Sequence, residues 1–401
     1  MRTARLCDVA LVNPVSPEFE KLDHDDPVAF LPMENVWPDD LRFEERPKSQ
    51  VEVGYTRFQP GDVLVPKIAP TFGHGRSAVA AGFPTSAGAG TTELHVLRPK
   101  PGVDPRWLFY LTKAAPFLQE GVATQYGVAG QKRISFDWFR TFRVPALPLA
   151  EQRRVVEYLD TETARIDRLV AEQVRLMDLA REHADAAVDQ EVWLGNPKTI
   201  RIGYLTPADR PITYGIVLPG PNVESGVLLV KGGDVKPGRL HPDRLNRTTA
   251  EIEAPYARAR LRPRDIVYSI RGSIGDAEMV PPELDGANMT QDVARIAVDA
   301  NTDPNWLLFA VRSRRFFAQM EAESRGATIR GINIWSLKRG VVPRVNLSEQ
   351  RRVARRCQAL ATELARLNSE ISLQVRLLNE HRQALITAAV TGGLQAAGRV
   401  A

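Results

Sequence analysis

Arginine side chains are the residues of this 401-residue sequence whose type and distribution most clearly suggest chemistry. They form nearly all of the cationic residues between positions 195 and 344, where the formal charge is +6. A guanidinium group pairs through two parallel hydrogen bonds with phosphate and with the edge of guanine. The distribution therefore favours a site for a polyanion, although a solvated basic surface would give the same count.

Motifs of the common catalytic sites are missing from the sequence. It has no G-x-x-x-x-G-K-[ST] phosphate loop, no H-E-x-x-H metal motif and no G-x-S-x-G nucleophile motif. Asn13-Pro14-Val15 and Asn196-Pro197-Lys198 fall short of an amino-methyltransferase motif. The glycine clusters at 73–75 and 272–275 predict tight turns. We therefore expect a binding protein that is not itself an enzyme and holds neither a metal nor a cofactor.

The composition is that of an ordinary globular protein, with 43% hydrophobic and 25% charged residues. No run of 18 apolar residues occurs, so we expect no membrane-spanning helix and no membrane partner. The two cysteines, Cys7 and Cys357, are too few for a disulfide framework, which favours a cytoplasmic location.

The second half of the sequence repeats the first. The stretch Leu149–Val155 returns as Leu347–Val353 at an offset of 198, and Asp104–Trp107 returns as Asp303–Trp306 at an offset of 199. The register holds without a gap over about 65 residues, which chance similarity would not do. Upstream the match is weak, so the halves share a frame but differ in most of their first 100 residues.

Each half has the same predicted order of elements. Short apolar runs between Gly and Pro predict strands, and Asp-Pro before Trp predicts a helix with an Asp N-cap. A stretch of about 44 residues almost free of Gly and Pro then predicts a long helix. The chain thus divides into a first globular domain at 1–147, a long helix at 148–194, a second globular domain at 195–344, and a second long helix with a tail at 345–401.

The two long helices carry heptad patterns that predict a coiled coil. Their segments have formal charges of −5 and +4, and their lengths match, which favours pairing with each other over packing on separate domains. A pseudo-two-fold axis would make the helices antiparallel and would set Gln173 opposite Gln374. His183 and His381 are expected as packing residues in the same seam. The expected pairing residues are Leu159, Ile166, Leu169, Gln173, Leu176, Leu360, Leu364, Leu367, Ile371, Gln374 and Leu378.

This pattern resembles the specificity subunit of type I restriction–modification enzymes over essentially the whole chain. The resemblance lies in the duplicated Leu-x-Glu-Gln-Arg-Arg-Val entry into each long helix and in three further stretches. These are Pro211–Gly220, Arg264–Gly275 and Arg382–Gly392. The first domain lacks a clear counterpart of the Ile-Thr-Tyr-Gly-Ile opening at 212–216.

The resemblance implies an α+β fold with two target-recognition domains related by pseudo-two-fold symmetry and separated by two antiparallel coiled-coil helices. Each domain would read one half of a bipartite double-stranded DNA target, and the helices would set the spacing. Two methyltransferase subunits carrying S-adenosylmethionine would dock on the chain, and restriction (translocase) subunits would join them. Because the halves differ, the target would be asymmetric.

Base reading requires hydrogen-bonding side chains on ordered loops, which selects candidates in each domain. In the first domain these are Lys67, His74, Arg76, Tyr126, Gln131, Lys132 and Arg133. In the second they are Tyr214, Arg271, Ser273, Arg325, Thr328 and Arg330.

The sequence leaves two alternatives open. One is an adaptor or scaffold protein whose coiled coil joins two folded domains without nucleic acid. The other is the specificity subunit of a related system in which nuclease and methyltransferase are fused.

Overall fold

Short strands joined by turns precede each of the two long helices, as the Gly, Pro and β-branched pattern predicts. We describe the fold from a computed structural model. It describes residues 2–37, 41–68, 71–127, 132–195, 197–324 and 331–392. No helix among these residues is long and apolar enough to cross a membrane.

The chain forms two compact units. The first contains Met1–Gln173 and Ser372–Ala401, and the second contains Val174–Ile371. Each unit therefore combines a globular part with a portion of both long helices. The predicted domain bounds, which separate globular parts from helices, stay a prediction.

The described residues of the first unit form ten strands. They are β1 (Thr3–Arg5), β2 (Ala10–Val12), β3 (Pro27–Leu31), β4 (Glu44–Pro47), β5 (Thr56–Phe58), β6 (Val63–Pro66), β7 (Ala78–Val79), β8 (Gly88–Gly90), β9 (Leu94–Pro99) and β10 (Arg143–Pro145). Its helices are α1 (Leu6–Val9), α2 (Pro17–Glu20), α3 (Lys48–Val51), α4 (Pro105–Lys113), α5 (Ala115–Ala123), α6 (Phe136–Thr141) and the start of α7 (Leu149–Val192).

In the second unit, the part that the structure describes forms nine strands. They are β11 (Thr199–Arg201), β12 (Thr213–Tyr214), β13 (Val227–Val230), β14 (Asn246–Thr248), β15 (Ile266–Ser269), β16 (Ala277–Met279), β17 (Asn288–Met289), β18 (Val293–Ile296) and β19 (Val341–Pro343). Its helices are α8 (Ala250–Glu253), α9 (Pro304–Arg312), α10 (Arg314–Ser324), α11 (Ile334–Arg339) and the start of α12 (Leu347–Gly392).

The sheets of the two units have corresponding strand orders. The first unit has the orders β2-β9-β6-β7 and β4-β3-β8-β5, and the second has β12-β18-β15-β16 and β14-β13-β17. A two-stranded antiparallel ladder precedes each long helix, β1 with β10 and β11 with β19. The topology therefore extends the repeat into the segments where the two sequences no longer match.

The two duplicated motifs contact each other within each unit. Asp104 caps α4 by accepting hydrogen bonds from the Arg106 and Trp107 amides, as predicted, and Gln152 of α7 accepts one from the Asp104 amide at 2.8 Å. In the second unit Asp303 caps α9, and Gln350 accepts from the Asp303 amide at 2.7 Å. Both glutamines are buried and satisfied, so each holds the entry of a long helix against the globular core.

Each core forms around the tryptophan of this motif. Trp107 and Trp306 are fully buried, one in each unit. In the first unit the core also contains Val155 of α7 and Leu385 of α12. In the second unit it contains Val192 of α7 and Val353 of α12. The long helices are thus part of both cores.

The buried stripe of α7 does not follow the predicted heptad throughout. Leu159 and Ile166 are buried as expected, but Leu169 and Leu176 are 39% and 47% exposed, and His183 is exposed. The buried or half-buried positions include 163, 170, 177 and 184 instead. The last three each lie one residue after Leu169, Leu176 and His183. After Val155 the next buried positions are Leu159 and Thr163, two successive steps of four, and this shifts the phase of the stripe. The buried Thr163 hydroxyl is satisfied by donating to the Leu159 carbonyl.

The stripe of α12 follows its predicted register more closely. Ile371 is buried and Leu360, Leu364, Leu367, Leu378 and His381 are half-buried. The exception is Gln374, which is exposed while Val375 is half-buried. Among the described residues Gln173 and Gln374 do not form the expected amide pair, since Gln173 Oε1 is buried without a hydrogen-bond partner. A one-residue shift of the stripe removes Gln374 from the seam.

Candidate nucleic-acid interface

Apart from Tyr214, the candidate residues that the structure describes lie on two segments in each unit, and a third segment contacts one of these two. We call them the turn segment (67–76 and 270–275), the junction segment (125–135 and 331–333) and the hairpin connection (32–43 and 231–245). The turn segment follows β6 or β15, the junction segment precedes α6 or α11, and the connection joins β3 to β4 or β13 to β14.

One backbone ladder positions the turn and junction segments in both units. The Lys67 amide donates to the Glu93 carbonyl at 2.9 Å, and the Ile134 amide donates to the Lys67 carbonyl at 2.8 Å. In the second unit Ile270 donates to Asp292 at 2.9 Å and Ile332 donates to Ile270 at 2.8 Å. The four distances agree within about 0.1 Å, so the two sites have the same backbone frame.

The same frame carries a guanidinium and a carboxylate in each unit, but the arginine comes from different segments. Arg133 of the first junction segment donates to both oxygens of Glu93, at 2.6 and 2.9 Å. In the second unit Arg271 belongs to the turn segment, bridges to Gly331 and lies 3.9 Å from Asp292. A Cβ at Gly331 would lie 3.2 Å from Cγ of Arg271, so the glycine leaves room for this side chain.

Electrostatics differ accordingly between the two sites. The hydrogen bond from Arg133 lowers the pKa of Glu93, and burial lowers the pKa of Lys67, which also faces Glu93 and Arg133. His95, two residues after Glu93 in sequence, is buried, and this burial lowers its pKa to about 4. The first site is therefore a closed charge cluster, whereas Arg271 is exposed and its ion-pair partner among the described residues, Asp292, is 3.9 Å away.

Each hairpin connection lies against the turn segment of its own unit. Arg76 donates to the Val36 carbonyl at 2.9 Å, and its guanidinium stacks 3.7 Å from the ring centre of Trp37. In the second unit Ser273 donates to the Gly232 carbonyl at 3.4 Å. A Cβ at Gly232 would lie 3.3 Å from the Arg271 carbonyl, so the backbones approach closely there.

The remaining candidates fall into two groups. His74 and Lys132 are exposed, and Tyr126 is 60% exposed and pairs with Arg133 in a β-bridge. Tyr214 is 42% exposed at the end of β12, where it pairs with Ala294. The predicted residues Gln131, Arg325, Thr328 and Arg330 lie outside the described residues.

Sequence reasoning missed the hairpin connections and the two carboxylates. Trp37, Glu93 and Asp292 are adjacent to predicted residues in space but not in sequence. Only the offset of 199 that aligns Glu93 with Asp292 could have indicated their equivalence. Among the described residues no group of three or more His, Cys, Asp or Glu is placed to hold a metal ion.

Comparison with known proteins links the chain to type I restriction enzymes. It is 24% identical over 293 residues to the EcoBI specificity subunit of Escherichia coli, covering 67% of this chain and 62% of that protein. It is 30% identical over 168 residues to the EcoAI specificity subunit of Escherichia coli, covering 41% of this chain and 28% of that protein. The chain thus spans less than two thirds of the length of these relatives. No family model matches.

Solved structures share the fold over nearly the whole chain. A structure described as the basis of complex assembly and conformational transition of the type I R-M system superposes with a TM-score of 0.73 at 18% identity, covering 98% of both chains. The HsdS subunit from Thermoanaerobacter tengcongensis gives a TM-score of 0.54 at 18% identity, covering 98% and 97%. The resemblance to type I specificity subunits and the predicted α+β fold class with two long helices are confirmed.

Proposed function

We propose, from this relationship and from the duplicated site, that the chain is the sequence-specific DNA-binding subunit of a type I restriction–modification complex. Each unit would read one half of a bipartite target in double-stranded DNA. The observation that carries the proposal is the repeated backbone frame, which presents unlike polar side chains in its two copies.

The unlike side chains support an asymmetric target. Arg271 is exposed, and among the described residues its one ion-pair partner is 3.9 Å away, so its guanidinium can donate two hydrogen bonds to guanine O6 and N7. The guanidinium at the same place in the first unit, that of Arg133, donates to Glu93, and the exposed donors among the candidates that the structure describes there are Tyr126, Lys132 and His74. Different donors at the same place select different bases.

Catalysis is proposed to belong to partner subunits. The chain would dock two methyltransferase subunits, which would bind S-adenosylmethionine, and restriction subunits would join the assembly. The exposed apolar residues Leu169, Leu176 and Leu377 on the long helices are compatible with docking of a partner helix. This chain would contribute sequence selection alone.

Methylome mapping tests the proposal. The chain would be co-expressed with its methyltransferase partner, and methylated adenines would be mapped by single-molecule sequencing. We expect one bipartite motif that disappears without this chain. Arg271→Ala should relax one base in one half-site, whereas Arg258→Gln, an exposed cation of the same unit, should leave the motif unchanged. Methylation that persists without the chain would refute the proposal.

A further inference from the structure

The hairpin connections of the two units are structural counterparts with opposite charge. β3 pairs antiparallel with β4 and parallel with β8, and β13 pairs antiparallel with β14 and parallel with β17. The segments that join the antiparallel pairs, 32–43 and 231–245, therefore leave the sheet at the same place. The first carries Glu34, Asp39 and Asp40 against Arg42, a formal charge of −2. The second has a formal charge of +2, from Lys231, Lys236, Arg239 and Arg244 against Asp234 and Asp243.

The cations of the second connection are available to a ligand. Lys236, Arg239 and Arg244 are exposed, and within the described part of the chain none of the three forms an ion pair. Arg239 and Arg244 donate instead to backbone carbonyls of the connection itself, those of Gly233 at 3.2 Å and Gly238 at 3.3 Å. These bonds order the two guanidinium groups without neutralising them, since a carbonyl carries no net charge.

The two acidic residues of the connection do not offset these cations by direct pairing. Asp234 accepts a hydrogen bond from the Lys231 amide at 2.8 Å, which closes the turn after β13. Asp243 lies 3.3 Å from the ring nitrogen of His241. Both carboxylates therefore serve the local fold, and the positive charge remains at the surface.

The position of the connection indicates which polyanion it meets. Its first residues lie against the turn segment, because Ser273 donates to the Gly232 carbonyl and the Gly232 backbone approaches that of Arg271. A duplex whose bases contact Arg271 would pass with its phosphates beside the connection. In the first unit the connection instead contacts Arg76, whose guanidinium stacks on Trp37.

We propose that the second hairpin connection binds the DNA phosphodiester backbone beside its half-site, through Lys236, Arg239 and Arg244. The first connection makes no such contact. The electrostatic part of DNA affinity is thus supplied unequally, mainly by the second unit. This inference rests on the proposed function. It adds which surface binds the DNA backbone and which unit supplies most of the electrostatic affinity.

Salt titration of DNA binding tests the inference. The complex with methyltransferase subunits would be titrated with a target duplex and with a scrambled duplex between about 0.05 and 0.2 M salt. Replacing Lys236, Arg239 and Arg244 with Gln should reduce the slope of log Kd against log salt by roughly 2 to 3, at about 0.9 per phosphate contact. Affinity should fall on the order of 10-fold or more for both duplexes, with the preference between them unchanged.

A charge-matched control is available in the same unit. Arg258, Arg262 and Arg264 are exposed, and the last two precede β15, whereas the turn segment follows it. Replacing these three with Gln removes the same charge but should change the slope by less than about 1. Equal slopes for wild type and the connection variant would overturn the inference, as would equal losses in the two variants.

Failure of the inference can be separated from failure of the proposed function. If the wild-type complex shows no preference for the target duplex, the proposed function fails. If the wild-type complex shows that preference and the connection variant keeps the wild-type slope, the inference fails while the proposed function stands. Loss of methyltransferase subunits from the connection variant in size-exclusion chromatography would show that the cations bind a protein partner, which also contradicts the inference.

Discussion

Glu93 and Asp292 occupy the same position in the two units, yet they receive an arginine from opposite strands of the same bridge. Arg133 reaches Glu93 from the junction segment and binds both of its oxygens, whereas Arg271 leaves the turn segment and stays 3.9 Å from Asp292. A bidentate ion pair occupies the hydrogen-bond donors of the guanidinium, whereas a distant carboxylate leaves those donors available to a ligand. The repeated frame thus holds an arginine and a carboxylate as a structural contact in the first unit, and in the second unit as the group that we propose for DNA binding.

The largest effect should come from a feature that the two units share. Asp62 and Asp265 are buried, and each binds a guanidinium through both oxygens, that of Arg98 or that of Arg210. Replacing either Asp with Ala leaves a largely buried guanidinium without its partner. Each variant should lose roughly 3 kcal/mol of stability in its own unit.

Hydrogen exchange detected by mass spectrometry would localise this loss. Asp62→Ala should increase exchange in β6 and β9, and Asp265→Ala in β15 and β18. The conservative variants with Asn keep one acceptor and should lose less. Equal exchange in both units for either variant would show that the units do not unfold independently.

Lowering the pH should destabilise the first unit more than the second. The pKa of His95 is lowered by burial from 6.5 to about 4, while the corresponding residue of the second unit is Ala294. A folded-state pKa below the unfolded value means that the unfolded chain binds the proton more tightly. The stability that His95 contributes is therefore full above pH 6.5 and decreases as the pH falls towards 4.

At pH 5 the first unit should have lost about 2 kcal/mol relative to neutral pH, and the second unit should not show this loss. Exchange rates of the β9 amides compared with those of β18, after correction for intrinsic pH effects, provide the measurement. His95→Gln removes the titrating group and should abolish the difference. If β18 responded as strongly as β9, the assignment to His95 would be wrong.

Substitution of the two arginines tests most sharply whether they have different roles. Arg271→Ala should relax one base of the target at a cost of about 1–3 kcal/mol in discrimination, with little change in folding stability. Arg133→Ala should do the reverse. It leaves Glu93 without its partner, costs on the order of 1 kcal/mol of stability for a partly exposed pair, and keeps the base preference.

Methylome mapping and thermal unfolding of both variants would decide between these roles. Arg133→Lys keeps the charge but loses the two-oxygen geometry, so it should recover only part of the stability. A change of base preference in Arg133→Ala as large as that in Arg271→Ala would show that the two arginines have one role.

The sequence repeat predicted the motifs at which long-range contacts form, and it did so for a physical reason. Gln152 and Gln350 bind the caps of α4 and α9, so the two motifs are constrained together in each half. The hairpin connections could not be matched from sequence, because only strand pairing places 32–43 and 231–245 at the same point. The heptad of α7 failed at Leu169 and Leu176, because apolar spacing alone does not fix which of two adjacent rows faces the core.

The smallest effect should come from one turn that the units build with different residues. Gln59–Asp62 and Arg262–Asp265 form the same turn, in which the Asp side chain accepts from the first amide and the third residue has positive φ. That residue is Gly61 in the first unit, with φ +88°, and Arg264 in the second, with φ +70°. Proline at the second position and a positive φ at the third are features of a type II turn, which favours glycine at the third position.

Arg264→Gly should therefore leave the second unit unchanged or stabilise it by less than about 1 kcal/mol, since relief of the left-handed conformation is partly offset by the entropy of glycine. Gly61→Arg should destabilise the first unit by a similar amount, although no atom lies within 4 Å of the added Cβ. Urea unfolding of the two variants would measure both changes. A loss of stability in Arg264→Gly beyond 1 kcal/mol would mean that the Arg264 side chain makes a stabilising contact that outweighs its backbone strain.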